Sequence, residues 1–248
     1  MHEQHSIAMP EGQCPVHVFT PDNAGTGPWP AAIFYMDALA IRPALFPMAQ
    51  RLADAGYLVL LPDLFWRHGP YAPLDPKAVF GSASPRDIFG PLMASTDKAR
   101  AAADTGVFLE YLAGRSDVAG SKVGTTGYCM GGAISVYVAG AHPDRIAATA
   151  SFHAGGLATD EPDSPHLMAP KIKARVYVAG ADQDGHYPPE MQARLEKALS
   201  DAGVDHRCEI YEGALHGWTM ADFPPTVYNE AAAERHWREL TALFAETL

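Results

Sequence analysis

Five apolar residues in succession, Tyr57-Leu58-Val59-Leu60-Leu61, closed by Pro62-Asp63, constrain this chain more than any other segment. The run is too short for an ordinary helix and apolar at every position, so it reads as a strand buried on both faces. Such a strand needs sheet neighbours on either side and helices above and below. The rest of the sequence supplies both. Further β-rich runs at Val16 to Thr20, Ala31 to Tyr35, Lys122 to Thr126, Ala147 to Phe152, Arg175 to Ala179 and Arg207 to Tyr211 alternate with helical patterns. Those patterns cover Ala44 to Ala55, Thr96 to Leu112, Ala133 to Ala141, Pro189 to Ala202 and Val227 to Thr247. The alternation predicts crossover units and a mainly parallel, doubly wound sheet flanked by helices.

No repeat, linker or composition shift divides the 248 residues, so one domain over 1–248 is expected. The segment Pro21-Asp22-Asn23-Ala24-Gly25 reads as a turn between the first two strands. Leu64 to about Pro91 is a long stretch rich in Pro, Gly and aromatics, with room for short helices. A stretch of that length in a compact fold is expected to be a lid or substrate wall.

A net charge of −11, from 29 acidic and 18 basic side chains with no Lys/Arg cluster, argues against a nucleic-acid partner. The three cysteines, Cys14, Cys129 and Cys208, show neither a disulfide framework nor metal-ligand spacing, so no metal is expected. The start Met1-His2-Glu3-Gln4-His5 lacks the basic and apolar pattern of a leader, and no apolar stretch of about 18 residues suggests a membrane span. These features predict a cytoplasmic protein, a reducing location that suits free thiols.

The chemistry concentrates at Gly127-Tyr128-Cys129-Met130-Gly131-Gly132, where a strand runs through a small-residue turn into a helix. This is Gly-x-nucleophile-x-Gly, the nucleophile elbow of α/β-hydrolases. The glycines are needed because the sharp turn brings strand and helix backbones too close for Cβ atoms. The start of the following helix favours a thiolate at Cys129 and an oxyanion beside it. The backbone N–H of Met130 is one expected oxyanion donor, and that of Ala38, after the Ala31 to Tyr35 strand, is the other.

A thiol nucleophile needs a base and an orienting acid in the order nucleophile, acid, histidine. His216, in Glu212-Gly213-Ala214-Leu215-His216-Gly217-Trp218 after the last strand, is the expected base. Both Asp182 and Asp184 follow the Arg175 to Ala179 strand, and either could hold the imidazole tautomer.

With these residues in view, the chain resembles the dienelactone hydrolase family, the cysteine branch of the α/β-hydrolases, over nearly its full length. Four segments carry the resemblance: Phe34-Tyr35-Met36-Asp37; Gly56-Tyr57 to Pro62-Asp63-Leu64; Gly127 to Gly132; and Asp184 to Pro188 together with Gly213 to Gly217. The resemblance implies an α/β-hydrolase fold and hydrolysis of a small ester or lactone through a cysteinyl ester, with no cofactor. It selects Asp184, four residues before Pro188, as the acid.

Two positions depart from the family's pattern. Asp37 stands where a glutamate is usual, one methylene shorter, and Met220 stands where an arginine binds a substrate carboxylate. Arg42 and either Arg67 or Arg86 are the candidates for the missing cation, and Trp66, Tyr71 and Trp218 for pocket walls. A non-catalytic small-molecule binder, or an acyl or thioester transferase, would use the same scaffold.

Overall fold

The computed structural model describes residues 1–22 and 25–248. Asn23 and Ala24, the centre of the turn expected after the first strand, lie outside the described residues.

One eight-stranded sheet runs through the described residues: β1 (His2–Met9), β2 (Gly12–Phe19), β3 (Trp29–Tyr35), β4 (Leu58–Pro62), β5 (Val118–Tyr128), β6 (Ile146–Phe152), β7 (Arg175–Gln183) and β8 (His206–Leu215). Their order across the sheet is β1-β2-β4-β3-β5-β6-β7-β8. β1 and β2, and β2 and β4, pair antiparallel, and every pair from β4 to β8 is parallel. β4 is the apolar run read above, and all five of its residues are buried.

Helices α1 (Leu45–Asp54), α2 (Pro76–Gly81), α3 (Pro85–Met93), α4 (Lys98–Ala113), α5 (Met130–Ala141), α6 (Pro189–Asp201) and α7 (Glu230–Thr247) surround it. Side-chain alternation along β5 shows how both faces are covered. Thr125 points toward α5, where its Oγ1 accepts from Ser135 Oγ at 2.9 Å. Tyr128 points to the other face, its Oη 3.1 Å from His236 Nε2 of α7. The Gly124 Cα on that second face leaves no room for a Cβ, which would lie 2.7 Å from the Phe244 ring. α1 joins α7 there through the paired Arg51 and Glu234.

The antiparallel edge strand β1 was not among the expected elements. Its first five residues are exposed or half-buried and include two histidines, so it lacks the apolar alternation that marks a strand. Within the long stretch after β4, the short helices α2 and α3 are the only α-helical elements among the described residues. Both begin at proline, and the Asp75 carboxylate caps α2 by accepting from the Lys77 N–H.

Strand register sets what happens at the carboxyl edge. Tyr35 lies opposite Gly127, Tyr128 opposite Phe152, and Phe152 opposite Ala179. The loops after β3, β5, β6 and β7 therefore leave the sheet side by side, where open parallel sheets bind ligands.

Candidate active site

Cys129 is the single residue between β5 and α5, and its backbone has φ 53° and ψ −117°. A positive φ is costly for a residue with a Cβ and persists only where its surroundings impose it. Here the Cys129 N–H donates to Phe152 O at 3.0 Å, and Cys129 O accepts from the Gly132 N–H at 3.0 Å. A Cβ on Gly127 would fall 2.0 Å from Gly131 O, and one on Gly131 would fall 2.4 Å from both Tyr35 O and Met36 O. The start of α5 is thus pressed against the ends of β3 and β5, and the thiol is turned out at the sheet edge.

The partner histidine arrives through β7 and β8. Their pairing continues past the lengths expected, as far as Gln183 opposite Leu215, after a register shift near Ala181. The next residue on each strand is Asp184 and His216. His216 Nδ1 donates to Asp184 Oδ2 at 2.7 Å, and His216 Nε2 lies 3.1 Å from Cys129 Sγ. The other Asp184 oxygen accepts from the His186 N–H at 2.8 Å, so the buried carboxylate is held at both ends. Asp182 instead accepts from the Gly213 N–H at 3.0 Å, tying together the carboxyl ends of β7 and β8. Burial alone would lower the His216 pKa, but the hydrogen bonds to Asp184 and Cys129 outweigh it and raise it to about 10.

Cys14 and Cys208 differ from Cys129 in setting. Burial pushes both thiols up, that of Cys208 to about 12, and neither borders the cavity described below.

Asp37 and Arg42 form a buried staple. The Arg42 guanidinium donates to both Asp37 oxygens at 2.7 and 2.9 Å, and its Nε donates to Asp222 at 2.6 Å. Asp37 also accepts from the Leu39 N–H at 2.8 Å. The staple ties the loop carrying Ala38 to the chain just beyond His216. Burial would lower the Arg42 pKa, but the two carboxylates outweigh it, and the guanidinium stays fully charged.

A cavity of about 1120 Å³ opens over Cys129. Ala38, Met130, His216 and Asp37 lie on its wall, together with Arg86. No protein acceptor among the described residues takes the N–H of Ala38 or Met130.

Five expected binding residues are elsewhere, which corrects the sequence reading. Arg42 is consumed by its two carboxylates and is 2% exposed. Arg67 pairs with Asp104 and Glu11, and Trp66 packs under its guanidinium at 4.1 Å while donating to Asp104 at 3.0 Å. The Tyr71 hydroxyl meets the Ile41 N–H at 3.5 Å. Trp218 is fully buried behind His153, ring centroids 4.9 Å apart. Local sequence placed these residues in suitable loops but gave no sign of partners far away in the chain. Met220, likewise, is fully buried.

His153 and His186 are additions to the expected site. Both border the cavity, with rings 5.4 and 5.1 Å from that of His216. His153 follows β6 directly, at a φ of 40°, and its Nε2 lies 2.7 Å from Thr219 Oγ1. Burial holds its pKa well below the ordinary value, so the ring is neutral. Its position at the end of a parallel strand was the available signal. Among the described residues, no group of three or more His, Cys, Asp or Glu side chains is arranged to hold a metal ion, and no helix is long and apolar enough to cross a membrane.

Comparison with known proteins agrees with this architecture. The family model described as the dienelactone hydrolase family matches residues 14–248. A Synechocystis protein provisionally named carboxymethylenebutenolidase is 24% identical over 247 residues, covering 98% of this chain and 96% of that one. An Escherichia coli K12 protein with the same provisional name is 27% identical, covering 89% and 78%. Among solved structures, a dienelactone hydrolase from Anabaena variabilis superposes with a TM-score of 0.69 at 19% identity, covering 100% and 98%. A dienelactone hydrolase-like promiscuous phosphotriesterase from metagenomic libraries gives 0.78 at 22%, also covering 100% and 98%.

Proposed function

The chain belongs to the dienelactone hydrolase family, and on that footing we propose that it hydrolyses small carboxylic esters or lactones through an acyl-enzyme on Cys129. The observation that carries the reading is the unbroken line Asp184, His216, Cys129, with contacts of 2.7 and 3.1 Å.

The chemistry follows from that line. His216 Nε2 takes the thiol proton before attack, Sγ adds to the carbonyl carbon as thiolate, and Asp184 fixes the ring orientation and stabilises the imidazolium. The carbonyl oxygen becomes an oxyanion facing the N–H groups of Ala38 and Met130. As the intermediate collapses, the C–O bond breaks and His216 returns its proton to the leaving alkoxide. Water, deprotonated by His216, then cleaves the thioester and frees the acid and the thiol. Asp37 has no part in moving protons here, because Arg42 engages both of its oxygens. A nucleophile that must stay a free thiol belongs in a reducing compartment, and we place the protein in the cytoplasm on that ground.

The test is turnover of p-nitrophenyl acetate or a dienelactone, with mass spectrometry of the trapped protein. Wild type is expected to carry an acyl adduct on Cys129 alone, and Cys129→Ala and iodoacetamide are each expected to abolish turnover. Undiminished turnover in both would refute the assignment.

A further inference from the structure

The cavity divides into two unlike sides, and the division points to a substrate class. In the acylation step proposed above, the acyl group stays on Cys129 Sγ while the leaving oxygen must receive the proton from His216 Nε2. The leaving group therefore lies on the His216 side. That side is bordered by Gly155, Gly156, His186 and Gly217, which offer one ring edge and otherwise bare backbone, with the Phe223 ring beyond Gly217. The acyl group extends the other way, along α5 and under α3, where Met130, Ala133, Ile134, Phe89 and Met93 form the wall. Phe80 on α2 lies over Phe223, ring centroids 5.1 Å apart, and caps the Gly217 end of the cavity rather than this wall.

Size and charge narrow the occupant. At about 1120 Å³, the cavity exceeds the roughly 300–1,000 Å³ that holds drug-sized ligands, and a small lactone would leave most of it to water. The charged groups on its border are poorly placed for an anion near the thiol. Arg42 is saturated behind the wall, Lys98 pairs with Asp163 at 3.0 Å, and Arg86 sits beside Asp87 on the exposed face of α3. Asp97 spends its carboxylate on the Arg100 N–H, capping α4.

We propose that the preferred substrates are esters of medium-chain, uncharged acyl groups, whose apolar chain fills the α3–α5 wall while a small alcohol leaves past His216. This rests on the hydrolase reading above and names its substrate.

The experiment compares p-nitrophenyl acetate, butanoate, octanoate and dodecanoate, below micelle-forming concentrations, with the isomers methyl octanoate and heptyl acetate and with a carboxylate-bearing dienelactone. Each methylene buried should raise kcat/KM about four-fold until the wall is full, so octanoate should exceed acetate by at least about 100-fold. Methyl octanoate should outrun heptyl acetate at least about ten-fold, since only the former puts its chain on the acyl side. Met93→Trp, which fills the wall, and Phe89→Ala, which removes a half-buried part of it on α3, should each cut the octanoate-to-acetate ratio about ten-fold. Rates that fall from acetate onward, a preference for heptyl acetate, or a dienelactone faster than octanoate would each overturn the proposal. In those cases iodoacetamide-sensitive turnover would leave the hydrolase reading standing. Absence of both turnover and Cys129 acylation with every ester would overturn both.

Discussion

Asp184 and Asp182 are two residues apart with the same side chain, yet only one touches His216. Sequence chemistry left both open, because a two-residue offset decides which carboxylate reaches the imidazole, and that offset comes from the register shift between Ala181 and Gln183. The pair supports a sharp comparison. Asp184→Asn should lower kcat by about 10³ to 10⁴, as loss of the orienting carboxylate does in related triads. Asp182→Asn should change kcat less than about three-fold and cost about 1 kcal/mol of stability through its bond to the Gly213 N–H. Steady-state kinetics and chemical denaturation of both variants decide it, and a reversed order would transfer the acid role to Asp182. The pH profile carries the same information. His216, held protonated up to about 10, must be protonated to release the alcohol, so the alkaline limb of kcat/KM should lie toward that value. Asp184→Asn removes an interaction that favours the imidazolium, so the limb should move to lower pH.

At the scale of elements, the elbow and the staple differ in how far they could be read. The elbow is local: six consecutive residues specify it, and the structure places Gly127 and Gly131 where backbone atoms exclude a Cβ. Gly131→Ala should therefore yield little folded protein, since the carbonyls of Tyr35 and Met36 cannot retreat without breaking β3. Gly81→Ala, at the end of α2 with nothing within 4 Å of the new Cβ, should leave yield and melting temperature close to wild type. Equal yields of the two would show that the elbow tolerates side chains. The staple is non-local: Arg42 and Asp222 are 180 residues apart, so a buried Arg42 was indistinguishable in sequence from one free to bind substrate. Arg42→Met would strand two carboxylates, one of them buried, and should cost about 3–5 kcal/mol. It should also lower kcat more than it raises KM, because it frees the Ala38 loop that faces charge only in the transition state. Loss of stability with kcat unchanged would limit the staple to a structural role.

Across the whole molecule, the parallel body of the sheet was legible because each strand and helix there carries its own apolar period. The edge strand β1 and the cavity wall were not, because exposure and partnership depend on what the chain brings together. Buried histidines belong to that second kind. Nothing near His236 or His17 in sequence marks them as buried, yet they are 0% and 6% exposed. Burial is the leading cause that lowers their pKa values, His236 to about 3 and His17 to about 4. The His236 ring is held neutral, its Nδ1–H donating to Ala233 O while Nε2 faces the Tyr128 hydroxyl. An unfolded histidine binds its proton near pH 6.5, so between that value and the folded pKa the unfolded chain holds more protons. Stability should thus be complete above about pH 6.5 and decline as pH falls toward 3, by up to about 1.4 kcal/mol per pH unit for each such histidine. Paired carboxylates add to the slope at the acid end, so the informative quantity is a difference between proteins. Urea denaturation of wild type and His236→Gln at pH 7, 5.5 and 4.5 should show the variant less stable at neutral pH, with a slope shallower by close to one proton. Parallel slopes would mean that His236 takes up its proton in the folded state without cost, which its two bonds inside the α7 layer argue against.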